Sequence, residues 1–206
     1  MGIDFSYILY FDRKKQWDAL QALVDIALPF QPPTKIIFPD REIYVPLLTW
    51  IDKNGMLQYD EPELDLHFSI YFEEDEAIRY YLRDRKPEES FRSPPDELKP
   101  RIVSIGFIYL SIYNQTSAWY SERDAKEIVG FNFGTTGTRM SLLFDESTSI
   151  RKTFVELLER VPGICGVFNR EDNGEVFWYQ GQMRSDYIQD PYLLPDEIKS
   201  TLNLQD

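Results

Sequence analysis

The sequence predicts an α+β protein with a largely antiparallel sheet that three main helices cover on one face. Several short stretches alternate apolar and polar residues, as half-buried strands do. Three other stretches, near residues 13–28, 73–85 and 148–161, repeat apolar residues at helical spacing. Asn173-Gly174 lies between two apolar runs and indicates a β-hairpin, which joins antiparallel strands.

The first half of the chain holds the first two helices. A strand at 5–11 precedes Asp12, which is placed to cap a helix that Pro29 ends. Two short strands at 34–38 and 42–48 follow. Residues 63–72 then show the cleanest alternation in the chain, and the acidic run 73–76 favours the start of the second helix. The apolar positions of that strand are Leu64, Leu66, Phe68, Ile70 and Phe72.

The second half predicts the centre of the sheet and the third helix. Residues 103–113 are apolar on both faces, which favours a central strand. Strands are expected at 128–133 and 138–144, the second with Met140, Leu142 and Phe144 inward. The helix at 148–161 and a hairpin of 164–168 with 176–180 follow, and 195–202 indicates a terminal helical turn. The helix buries one face, made of Ile150, Phe154, Leu157, Leu158 and Val161.

One pattern occurs three times: a strand that ends in Phe, then an acid, then a helix. It appears as SYILYFD at 6–12, HFSIYFE at 67–73 and MSLLFDE at 140–146. Duplication of βαββ-like units would produce it. Convergence is the alternative, because any strand-to-helix junction favours an apolar end and an acidic cap.

A single domain over 1–206 is the expected organisation. The alternative is two sub-lobes, 1–85 and 102–181, joined by a proline-rich charged loop at 86–101 and followed by a polar C-terminal extension at 182–206. Cys165 is the only cysteine, so no internal disulfide forms, which is typical of a reducing compartment. Neither a signal peptide nor a membrane span is found, and the expected location is cytoplasmic.

The charge of the chain restricts its partners. It carries 22 basic and 35 acidic residues, a net charge of −13. Such a chain repels the phosphates of nucleic acids and anionic membranes, so neither is an expected partner. A basic protein is the partner that this charge favours. No feature of the sequence predicts the oligomeric state.

The sequence shows no catalytic constellation. His67 is the only histidine, and it shares a predicted strand face with Asp65 and Ser69. Side chains along one strand stand parallel and do not converge as a catalytic triad must. One His and one Cys do not make a zinc site, and no nucleotide fingerprint is present. We therefore expect no metal and no cofactor, and a non-enzymatic role is favoured.

The loop from Gly134 to Arg139 is the strongest candidate for a ligand site. Its glycines would let backbone N–H groups approach an anion, the hydroxyls of Thr135 and Thr136 could donate to it, and Arg139 could pair with a phosphate. Phosphate loops lead into a helix, however, and this loop is predicted to lead into a strand. A plain hairpin turn is the favoured interpretation.

Two aromatic pairs are candidates for partner binding. Trp119 and Tyr120 lie in a polar stretch, while Phe177 and Tyr179 would share one side of the predicted hairpin. An exposed pair would mark a partner surface. A sheet covered on both faces is the alternative, and it is slightly preferred.

Two functions remain as hypotheses. The first is a non-enzymatic cytosolic protein that neutralises or assists a partner through its acidic surface. The second is a small-ligand-binding domain or enzyme with a pocket between sheet and helices near the Gly134–Arg139 turn.

Overall fold

The computed structural model of the chain describes residues 2–28, 33–38, 41–49, 55–58, 63–83, 101–113 and 127–204. Trp119, Tyr120 and residues 86–100 of the predicted loop lie outside these residues. The described ranges form an α+β fold with a large antiparallel sheet, as the sequence predicts. No helix within those ranges is long and apolar enough to cross a membrane.

The elements are numbered in chain order. The strands are β1 Ser6–Asp12, β2 Thr34–Ile37, β3 Glu42–Val45, β4 Leu48–Thr49, β5 Met56–Gln58, β6 Glu63–Phe68, β7 Tyr71–Glu73, β8 Ile102–Ser104, β9 Ile108–Tyr113, β10 Ile128–Gly134, β11 Cys165–Asn169, β12 Gly174–Tyr179 and β13 Gln182–Ile188. The helices are α1 Gln16–Ile26, α2 Glu76–Leu82, α3 Thr138–Glu146, α4 Thr148–Arg160 and α5 Pro195–Leu202.

The main sheet has eight strands in the order β13-β12-β11-β1-β10-β9-β6-β4, and all neighbours are antiparallel. β1 lies inside it, where Tyr7 is opposite Phe133 on one side and Phe168 on the other. Two smaller sheets, β3-β2-β5 and β7-β8, complete the strands that the described ranges contain. Strands from 1–85 and strands from 102–181 therefore lie beside each other in one sheet.

The helices α1 to α4 pack on one face of the main sheet, called the front face here. Its core holds an aromatic cluster around Tyr7, whose ring centroid is 4.5 Å from that of Phe154 and 4.7 Å from that of Phe168. The Tyr7 hydroxyl donates a hydrogen bond to the Phe144 carbonyl at 3.1 Å. Burial raises the pKa of Tyr7 to about 12, so this hydroxyl stays protonated at neutral pH.

The prediction of a strand at 138–144 is wrong, because these residues form α3. Met140, Ser141, Leu143 and Phe144 are buried and Leu142 is 45% exposed, a spacing that belongs to a helix. Ser141 accounts for the error, since a polar residue at a core position hides the helical period. Its hydroxyl group donates to the Ile3 carbonyl at 2.6 Å.

The loss of this strand changes the repeat hypothesis. MSLLFDE lies within α3, so the third copy is not a strand that precedes a helix. SYILYFD forms β1, and HFSIYFE spans the end of β6 and all of β7. The recurrence is thus reduced to two sites, and the helix-start chemistry of the convergence alternative explains both.

The opposite face of the sheet, the back face, is covered in part by α5. Ile198 of α5 and Ile188 of β13 are buried with Ile8 and Tyr10 in a second core. The Glu197 carboxylate accepts a hydrogen bond from the Leu194 N–H at 2.8 Å and so caps the start of α5. The residues after 181 therefore extend the sheet and cover part of its back face, in addition to being largely polar.

One carboxylate joins the starts of two helices. Asp75 is the N-cap of α2 and accepts from the Ile78 N–H at 2.9 Å. Its second oxygen accepts from the Ser147 hydroxyl at 2.7 Å and the Ser149 N–H at 3.0 Å, both at the start of α4. Only Asp75 and Glu76 of the acidic run at 73–76 thus begin a helix, because Glu73 is the last residue of β7, and Asp75 also holds a second helix in place.

A bidentate ion pair connects α4 to β12. Arg151 Nη1 and Nη2 donate to the two Glu175 carboxylate oxygens at 2.7 and 2.8 Å. These bonds, the Arg151 contribution above all, hold the pKa of Glu175 below its usual value of 4.5. Because the folded-state pKa is depressed, the stabilisation is present above about pH 4.5 and is lost as the pH falls through the folded value.

We therefore expect Glu175→Gln to lower the free energy of unfolding by about 1–2 kcal/mol at pH 7 and by much less near pH 3. Urea denaturation at both pH values measures the difference. Glu156→Gln, on an exposed position of α4, is the matched control and should change stability little at either pH. A Glu175→Gln loss of the same size at pH 7 and pH 3 contradicts the assignment.

Candidate functional site

The back face that α5 leaves uncovered carries polar side chains from three neighbouring strands. In the register of the sheet, Asp65 of β6 is opposite Ser111 of β9, and Ser111 is opposite Asn132 of β10. The next row places His67 opposite Tyr109. Alternate residues of the same strands, such as Leu66 and Leu110, face the front core. The strand alternation itself therefore separates a polar back surface from an apolar front one.

These side chains line an open cleft of about 430 Å³, called the sheet-face cleft below. Its volume lies in the range of small-molecule sites. The lining residues are Asp4, Asp65, Leu66, His67, Tyr109, Ser111, Asn132, Gly134, Thr135 and Thr136. Two of them are carboxylates, and none is Lys or Arg.

Two hydrogen bonds link polar side chains at the cleft. The Ser111 hydroxyl donates to Asp65 Oδ1 at 2.7 Å, and Asn132 Nδ2 donates to the Tyr113 hydroxyl at 3.3 Å. The buried Asn132 Oδ1 has no hydrogen-bond partner among the described residues. An unpaired buried acceptor costs about 1–3 kcal/mol, a cost that a hydrogen-bond donor of a bound ligand would remove.

His67 adds no positive charge to the cleft at neutral pH. Burial lowers its pKa below 6.5, while the neighbouring Asp65 opposes that shift. Its ring stands edge-on to Tyr109, with centroids 4.9 Å apart. On the same face, burial and then Asp65 raise the pKa of Glu63. The cleft thus combines carboxylates, a neutral imidazole and an aromatic wall.

The structure brings together only two of the three residues Asp65, His67 and Ser69. Asp65 and His67 line the cleft, but Ser69 follows the end of β6, is buried and is hydrogen-bonded to the hydroxyl of Ser104. No triad forms. Ser111 and Asn132 were not predicted as site residues, because only the pairing of β6, β9 and β10 brings them beside Asp65.

The loop from Gly134 to Arg139 leads into a helix, contrary to the prediction of a hairpin turn between strands. Thr135 is buried and its hydroxyl group is 2.6 Å from the Ser141 hydroxyl. Thr136 is exposed at the rim of the cleft. Arg139 donates to the Tyr81 carbonyl at 2.8 Å and is not among the lining residues.

Of the two predicted aromatic pairs, only Phe177 and Tyr179 lie in the described part of the chain, and they form no exposed surface there. Phe177 is buried in the front core and Tyr179 in the back core. A register shift between Val176 and Trp178 puts Phe177 and Trp178 in the same front core. Trp119 and Tyr120 are outside the described residues.

The ranges that the structure describes contain neither a candidate metal centre nor an accessible thiol. No group of three or more His, Cys, Asp or Glu side chains in these ranges is placed to hold a metal ion. Cys165 is fully buried in the back core, and burial raises the pKa of its thiol. This thiol is therefore protonated at neutral pH.

Comparisons of the chain with protein-family models, curated proteins and solved structures returned no match. The sheet-face cleft is therefore interpreted from its own chemistry.

Proposed function

We propose that the protein binds an organic cation, an ammonium or guanidinium group, in the sheet-face cleft. The single observation that carries the proposal is the cleft lining, which contains two carboxylates, Asp4 and Asp65, and no Lys or Arg side chain. A cation would gain Coulomb energy there, whereas an anion would be repelled. This argues against phosphate as the ligand.

The hydrogen-bonding inventory supports the same class. The Asp65 carboxylate accepts a hydrogen bond from Ser111 in the cleft, and the Asp4 carboxylate is exposed at the rim. Carboxylates only accept hydrogen bonds, so they match a ligand rich in N–H donors. Tyr109, which is 39% exposed, offers an aromatic surface on which a cation or its alkyl chain could pack.

Two sources could supply this cation. One is a free amine or guanidine, which corresponds to the small-ligand hypothesis, although the cleft lies on the back face and not between sheet and helices. The other is a Lys or Arg side chain of a basic protein, which corresponds to the partner-binding hypothesis and agrees with the net charge of −13. The proposed setting is the cytosol, which the single buried cysteine supports.

The first experiment uses two ligands of nearly the same shape whose α-amino groups are acetylated, arginine amide with its charged guanidinium and the uncharged analogue citrulline amide, and compares them by calorimetric titration. We expect binding of arginine amide only. Asp65→Asn should weaken it about tenfold to hundredfold, the range of one charge-assisted hydrogen bond. Asp18→Asn, which removes an exposed carboxylate of α1, is the matched control and should bind as the wild type does.

Equal binding of citrulline amide, or an Asp65→Asn variant with unchanged affinity, would contradict the proposal. Affinity purification from the native source with wild-type and Asp65→Asn protein then distinguishes the two sources. A basic protein captured only by the wild type supports the partner, and a small amine that co-purifies with the wild type supports the free ligand.

A further inference from the structure

β13 is an open edge of the eight-stranded sheet. It occupies the first place in the strand order and, among the described residues, pairs only with β12. Its seven residues are long for an unprotected edge, and two of its large side chains are exposed, Met183 by 69% and Tyr187 by 67%. An edge of this kind offers unpaired backbone N–H and C=O groups to another strand.

From Met183 to Ile188 the exposure of the β13 side chains alternates, although the pairing with β12 contains a register shift between Met183 and Asp186. Met183 lies beside Trp178 and Tyr187 beside Glu175, both on the front side. Arg184 and Asp186 are partly buried, and they form an ion pair with each other on the other side. The strand therefore has opposite charges on one face and an aliphatic and an aromatic side chain on the other.

This order is self-complementary about Ser185. If two copies of β13 pair antiparallel with Ser185 opposite its own counterpart, Arg184 of each copy is opposite Asp186 of the other. Met183 of each copy is then opposite Tyr187 of the other. Opposite charges and aromatic contacts across neighbouring strands each stabilise a pair. Two ion pairs and two apolar pairs thus form in one register.

The neighbouring registers that keep the faces aligned are disfavoured by charge. A side chain stays on its own face only when the register shifts by a whole two-residue step. Such a step moves the two-fold axis to Arg184 or to Asp186, which puts two like charges directly opposite each other. Charge complementarity therefore selects the axis at Ser185.

We propose that the occupant of this edge is a second copy of the chain, and that two molecules join β13 to β13 in a closed two-fold dimer with one continuous sheet. The contact is isologous, because the same strand serves on both sides. The sheet-face cleft is formed by β6, β9 and β10, on the other side of β1, so the dimer is independent of the proposed ligand.

Sedimentation of the full chain at concentrations up to about 0.1 mM tests the proposal. We expect the wild type to form dimers. Arg184→Asp and Asp186→Arg should each dissociate at least tenfold more readily, because every charged pair across the interface becomes repulsive. An equimolar mixture of the two variants should dimerise again, since one copy then carries two acids and the other two bases.

The double variant Arg184→Asp with Asp186→Arg keeps the ion pair within the strand and should dimerise as the wild type does. If a single variant fails to fold, the double variant still tests the charge pairing. A monomeric wild type, single variants that dimerise normally, or a mixture that stays monomeric would each overturn the proposal. Association only with a different protein would also overturn it.

Discussion

Phe154→Ala should lower the free energy of unfolding by about 3–5 kcal/mol, the usual cost of truncating a buried aromatic side chain. Phe154 of α4 is fully buried at the centre of the front core. Its ring centroid is 4.5 Å from that of Tyr7 and 4.8 Å from that of Phe133. Removing the ring would leave a cavity between the helix and two adjacent strands. Urea denaturation followed by fluorescence measures the loss.

Leu142→Ala is the control for this substitution. Leu142 would be a core residue if 138–144 were a strand, but on α3 it is 45% exposed. We expect the change to cost less than about 1 kcal/mol. The pair of variants thus tests the packing and the secondary structure together: a small loss at Phe154 or a large loss at Leu142 contradicts the fold.

Asp75→Ala should cost about 2–4 kcal/mol, more than an ordinary N-cap, because the carboxylate serves two helices. Burial alone would raise its pKa, but the hydrogen bonds from Ile78, Ser149 and Ser147 hold the pKa below 3.8. The substitution would leave the first turns of α2 and α4 without these acceptors. Thermal unfolding at pH 7 measures the effect.

Asp75→Asn separates the charge from the acceptor. It keeps one side-chain oxygen and should therefore lose less stability than Asp75→Ala. Glu76→Ala is the matched control, because Glu76 is exposed in the same turn of α2 and is not the N-cap. A Glu76→Ala loss as large as that of Asp75→Ala would mean that general helix electrostatics, and not the shared cap, accounts for the stability.

The predicted helix at 148–161 and the predicted strand at 138–144 show when a sequence pattern is sufficient to identify an element and when it is not. All five residues of the predicted face of α4, from Ile150 to Val161, are buried. A pattern that spans three turns leaves little choice of period. The seven residues of the failed strand fit both a two-residue and a helical period at Met140 and Phe144. The contact of Ser141 with Ile3 decides between them, and no local pattern shows it.

The cleft also depends on contacts between residues that are far apart in the sequence. The alternation of β6 places Asp65 and His67 on one face, and the sequence predicts that much. Ser111 and Asn132 reach Asp65 only through the registers of β6 with β9 and of β9 with β10. These registers follow from the packing of the apolar front face, which a single strand does not define. The site is therefore a property of the sheet and not of any motif.

The inner position of β1 has a consequence for how the protein is made. Tyr7 emerges from the ribosome well before its partners Phe133 and Phe168, which belong to β10 and β11. At roughly 5–20 residues per second, synthesis needs on the order of 10 s to supply the second of them. Until β10 is made an apolar strand has two open edges, and until β11 is made it has one, the condition under which nascent chains aggregate or recruit chaperones. A chain that stops before β11 would keep one of those edges open permanently.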